Sequence, residues 1–86
     1  MIEYKDYAKL ENLTELSDAI QMGMDIEFTL NGVRYNISWR DGKPFICECP
    51  EGEAVFYEDV QSMLSTHQIN NKTLETLWKD MEILSM

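Results

Sequence analysis

Lysine and arginine are scarce in this chain, and between Lys43 and Lys72 they are absent. Over 86 residues, 7 Lys and Arg stand against 16 Asp and Glu, a formal net charge of −9. Phosphate contacts need clustered cations, so direct binding of DNA or RNA is disfavoured. Long apolar runs are missing as well. Nothing approaches the ~18 consecutive apolar residues of a membrane-spanning helix. Residues 1–10 hold Glu3, Lys5, Asp6 and Lys9 without an apolar stretch, which is not the pattern of a secretory signal. The cytoplasm is the expected compartment, with Cys47 and Cys49 reduced there. No repeat, low-complexity tract or linker interrupts residues 1–86, so one domain is expected.

Catalytic signatures are equally thin. There is no Gly-rich phosphate loop, no P-loop lysine and no paired-carboxylate pattern. The single histidine, His67, would need a nucleophile and an orienting acid to act as a general base, and no recognisable spacing supplies them. Cys47-x-Cys49 looks like a ligand pair, but zinc needs three or four ligands and only His67 remains. A disulfide between alternate residues of one strand would be strained. Both cysteines read as small buried hydrophobes. The expectation is a protein that is not an enzyme, with no metal and no cofactor.

What is present is a strong β pattern. Asn31-Gly32 is the best short-range hairpin signal, because a type I′ turn needs φ > 0 at both central residues. A two-residue loop there sets Leu30 opposite Val33, Phe28 opposite Tyr35 and Ile26 opposite Ile37, all on one face. Arg40-Asp41-Gly42 offers a second turn. A three-residue loop pairs Ile37 with Phe45 and Tyr35 with Cys47, and puts Phe45, Cys47 and Cys49 on the apolar face. A two-residue Asp41-Gly42 loop would bring Ile46 there instead. The three-residue register is favoured because it buries more side chains. Ala54-Val55-Phe56-Tyr57 adds a short fourth strand.

Helical signals flank this meander. Asn12 suits an N-cap, with Glu15 completing a capping-box variant, and Leu13, Leu16 and Ile20 form an amphipathic stripe that Gly23 ends. Glu58 and Asp59 suit the start of a helix bearing Val60, Met63 and Leu64. Asn70-Asn71 suits a turn. Leu74, Leu77, Trp78 and Met81 then fall at i, i+3, i+4 and i+7. The predicted fold is therefore α+β, in the order α-β-β-β-(β)-α-α. Helices are expected over about 13–22, 58–66 and 73–83, and strands over 25–31, 33–39 and 45–49. The predicted core is Leu13, Leu16, Ile20, Ile26, Phe28, Tyr35, Ile37, Leu64, Leu74, Leu77, Trp78 and Met81. Residues 1–11 read as a loose helical turn.

The helix ending in Gly23, the strand-turn-strand D-I-E-F-T-L-N-G-V-R-Y-N-I-S and the closing T-L-E-T-L-W-K-D-M-E-I resemble a family of small proteins from Gram-positive bacteria and their prophages. Asn70-Asn71-Lys72 departs from the Asp-Gly-Lys such relatives carry. The resemblance implies the fold and brings no activity with it. The expected order of elements is also similar to that of a phage-encoded anti-CRISPR inhibitor that occupies the DNA-binding surface of a nuclease, with no shared motif.

Functionally, the residues point to an interaction or regulatory module. Glu48, Glu51, Glu53, Glu58 and Asp59 make either a solvated face that keeps a small protein soluble and monomeric or an acidic surface for a protein partner, in the sharper form a basic nucleic-acid-binding protein whose site is blocked by charge mimicry. Trp39 and Arg40, at the end of the sheet, are the candidate anchors. The rival expectation is a structural role, with a monomer or weak homodimer pairing through the sheet edge or outer face.

Overall fold

The computed structural model describes residues 9–86. Most of the helical turn expected over 1–11 lies outside the described residues. Helix α1, Leu13–Gln21, forms where its caps dictate. Asn12 Oδ1 accepts the Glu15 N–H at 2.8 Å, and the Glu15 carboxylate accepts the Glu11 N–H at 2.8 Å. At the other end Gly23 adopts φ +81°, and the Gly23 and Met24 N–H groups donate to the carbonyls of Ile20 and Ala19. That is a Schellman closure, which leaves Leu16, Ala19 and Ile20 buried on one side.

Strands β1, Ile26–Leu30, and β2, Val33–Arg40, pair in the expected register, with Ile26 opposite Ile37, Phe28 opposite Tyr35 and Leu30 opposite Val33. Asn31 and Gly32 have φ of 54° and 80°, the type I′ values that match strand twist. The Phe28 and Tyr35 rings stack at 5.4 Å.

Strand β3, Lys43–Glu48, corrects the expected register. Ile37 faces Ile46 and Ser38 faces Phe45, through a two-residue Asp41-Gly42 turn with φ of 55° and 80°. The physical reason lies on both faces. The observed register sends Pro44 and Ile46 into the helix-covered core, while Phe45 is buried on the opposite face against Phe56. The three-residue register counted burial on one face only. Cys47 consequently stands opposite Asn36, half-buried, and not opposite Tyr35.

Strand β4, Val55–Phe56, pairs with β3, as the fourth-strand reading expected. Helix α2, Val60–Thr66, starts two residues later than predicted because Asp59 is its N-cap, its carboxylate accepting the Ser62 N–H at 2.8 Å. Asn70 and Asn71, with φ of 55° and 69°, turn a small hairpin of β5, Gln68–Ile69, and β6, Lys72–Thr73.

The predicted helix over 73–83 is the main correction. Helix α3 covers only Leu74–Leu77, a 3₁₀ turn follows at Trp78–Asp80, and the chain then extends as β7, Glu82–Ser85. β7 lies antiparallel along β1, with Phe28 opposite Ile83. Met81 and Ile83 point into the core while Glu82 points out, a period of two that overrides the helical stripe once β1 offers unpaired backbone.

The sheet order is β4-β3-β2-β1-β7. The helices cover one face, and a single apolar cluster joins Leu16, Ile20, Val60, Met63, Leu74 and Leu77 to the inner residues of the strands. Leu13 and Trp78, both predicted core, are partly buried and pack against that cluster. The fold class is α+β.

Candidate functional site

The acidic residues follow the β4 side of the sheet because β3 and β4 are antiparallel. Glu48 ends β3 and the loop after it carries Glu51 and Glu53, while Glu58 and Asp59 follow β4 and return to the Lys43 end. At about 3.3 Å per residue, the two acidic ends stand on the order of 17 Å apart. All five residues are exposed. Val55 and Phe56 lie between those ends, and each leaves 42% of its surface in solvent.

The loop is held by close approach of backbone to backbone. The Gly52 N–H donates to the Glu48 carbonyl at 2.7 Å. A methyl group at Gly52 would stand 2.6 Å from that same oxygen, so only glycine lets the loop fold back here. The fold thus fixes Glu51 and Glu53 beside the end of β3.

Charge pairing along this edge is sparse. Lys43 Nζ meets Glu58 Oε2 at 3.3 Å, and the Glu58 side chain is still 81% exposed. Among the described residues the other salt bridge, Arg34 with Glu27, lies two strands away on the outer face. Glu48, Glu51 and Glu53 have no cationic partner among the described residues. Asp59 is committed to its cap, and the Ser62 hydrogen bonds hold its carboxyl below the usual carboxylate range.

The two anchor candidates part company. Trp39 turns toward the helices, packs against the core and donates its indole N–H to the Ile20 carbonyl at 2.7 Å. It ties the end of α1 to the sheet and does not join the acidic residues. Arg40 turns the other way, its guanidinium 5.2 Å from the Phe45 ring and 5.9 Å from the Phe56 ring. Arg40 therefore does belong to the β4 edge, as the cationic lid of a small aromatic pair.

Sequence reasoning missed a groove of about 370 Å³ on the inner side of β4. Tyr35, Ile46, Glu48, Val55, His67 and Ile69 are among its lining residues. The signal was available in Ile46 and Val55, which share a face once the two-residue turn is accepted. His67 sits there half-buried, with Nδ1 2.7 Å from the Tyr57 hydroxyl, and burial pushes its pKa down.

Cys47 also borders the groove, but it stands opposite Asn36 on the outer face of β3, so its thiol and the His67 imidazole are on opposite sides of the strand. Their chemistry runs against a nucleophilic pair. Burial, and then the neighbouring Cys49, push the Cys47 thiol up, whereas an activated cysteine needs its pKa lowered. Among the described residues no group of three or more His, Cys, Asp or Glu is placed to hold a metal ion. No helix among them is long and apolar enough to cross a membrane. No family model, no curated protein and no solved structure matches this chain.

Proposed function

We propose that this protein is a non-enzymatic interaction module that presents its β4 edge to a basic protein partner in the cytoplasm. One observation carries the reading: exposed apolar Val55 and Phe56 are bracketed by exposed acids, against one paired lysine and Arg40, whose guanidinium lies over the Phe45 and Phe56 rings. Exposed apolar side chains rimmed by charge are the usual composition of a recognition patch. In its sharper form the module competes with nucleic acid for the partner's cationic site. That form rests on the surface alone, since β7 replaces the end of the final helix on which the architectural likeness to the anti-CRISPR inhibitor depended.

The rival role, self-association through a sheet edge, meets opposition at β4. Two copies paired antiparallel there would set Glu51 and Glu53 of one against Glu58 of the other, and like charges at close range repel. A place among the small proteins of Gram-positive bacteria and their prophages belongs to the same proposal.

Affinity capture from lysate of the native cell, with the parent and a Glu51→Lys/Glu53→Lys/Glu58→Lys variant, tests the reading. The expected result is a nucleic-acid-binding protein that elutes as salt is raised and is not retained by the variant. A partner held equally by both and indifferent to salt sinks it.

A further inference from the structure

The groove behind β4 differs in kind from the acidic edge beside it. Ile46, Val55 and Ile69 give it apolar walls, Tyr35 an aromatic one, and Glu48 and Glu53 an acidic border. No lysine or arginine lines it. Glu48 is the cross-strand neighbour of Tyr35, and its charge adds to burial in pushing the Tyr35 phenol up. That phenol therefore stays neutral at the border. Burial also keeps His67 uncharged at neutral pH, so it does not cancel the carboxylates.

Apolar walls with a negative border match an amphipathic cation, whose stem covers hydrocarbon while its head meets carboxylate. A volume of about 370 Å³ suits one long side chain better than a folded segment. An anion would be repelled, and a purely apolar group would leave the carboxylates without a role. Between the two cationic side chains, guanidinium fits better than ammonium because it is planar, stacks on aromatic rings and forks onto carboxylates.

We infer that the groove formed by Tyr35, Ile46, Glu48, Glu53, Val55 and Ile69 receives an arginine side chain of the basic partner. The inference rests on the interaction reading above and adds the residue that anchors it. Arginine in the groove and acids along the edge would divide the work, one fixing register and the other drawing the partner in.

The test uses N-acetyl-arginine amide as probe and N-acetyl-norleucine amide as its uncharged counterpart, each titrated into the ¹⁵N-labelled chain. Arginine amide is expected to give saturable amide shifts at Glu48, Gly52, Glu53, Gln68 and Asn70, with a dissociation constant on the order of millimolar. Glu48→Gln/Glu53→Gln, with an otherwise unchanged spectrum, weakens it by about tenfold. Glu82→Gln, at the far edge of the sheet, leaves it unaltered. Absent or non-saturating shifts, shifts spread over every acidic residue, or an equal response to norleucine amide overturns the inference. Its failure alongside salt-sensitive capture removes only the groove. Salt-indifferent capture removes the reading beneath it, whatever the probe does.

Discussion

The two edges of the sheet are finished in different ways. At one, β7 runs along β1 and buries Ile83 and the adjacent Met81 in the core. At the other, β4 is two residues long and leaves both its side chains substantially in solvent. The first edge contributes apolar burial, while the second contributes little burial and carries Glu48, Glu51, Glu53, Glu58 and Asp59 exposed. Apolar burial and exposed charge beside part-exposed apolar side chains thus fall on opposite sides of one small sheet. The short, acid-flanked strand also resists unwanted pairing, since brevity and charge are how exposed edges avoid aggregation.

A matched pair of substitutions breaks or sharpens this contrast most directly. Ile83→Asp places a carboxylate at a site 4% exposed and is expected to cost about 4 kcal/mol or more. Val55→Asp, the same chemistry at the opposite edge, should cost about 1 kcal/mol or less. Denaturant midpoints of the two variants decide the matter, and equal losses would end the distinction.

A smaller effect is expected at the loop beside β4. Gly52→Ala sets a methyl group against the Glu48 backbone, which cannot swing aside as a side chain would. A loss of about 1–3 kcal/mol should follow, with amide shifts confined to residues 48–56. Unaltered stability and spectra would mean that the loop is not held as described.

The smallest effect is a pH dependence across the groove. Burial lowers the folded-state pKa of His67, so the unfolded chain takes up the proton first as pH falls. The stability tied to neutral His67 is complete above the ordinary value of ~6.5 and is lost as pH falls through that value toward the lower folded one. Urea midpoints should drop in this window for the parent and stay level for His67→Gln. A parent without the drop contradicts the burial assigned to the ring.

Local chemistry was readable where neighbours in sequence are neighbours in space. Asn31-Gly32, the Asn12 cap and the Gly23 closure each involve residues only a few positions apart, and all stand as read. The β3 register was misjudged because its burial depends on Phe56 covering Phe45 from another strand. The last helix was misjudged for a similar reason. Leu74, Leu77, Trp78 and Met81 do fit a helical stripe, but Met81 and Ile83 also fit a strand, and the choice belongs to β1. Within the candidate site, the acids could be placed from the cation-free stretch alone. The groove could not, because it needs β3, β4 and the β5–β6 hairpin at once. Trp39 looked available because its partner, the Ile20 carbonyl, is 19 residues away.

The β1–β7 ladder also sets a timetable. Thr29 and Glu82, bonded side chain to side chain across it, are 53 residues apart in the chain. While the protein is being synthesised, the β1–β2 hairpin can close as soon as it emerges, yet one flank of β1 stays bare until those later residues arrive. Such long-range pairing is slow to form. The nascent chain therefore spends its vulnerable interval with one flank of β1 uncovered, open to capture by a chaperone or by another nascent copy.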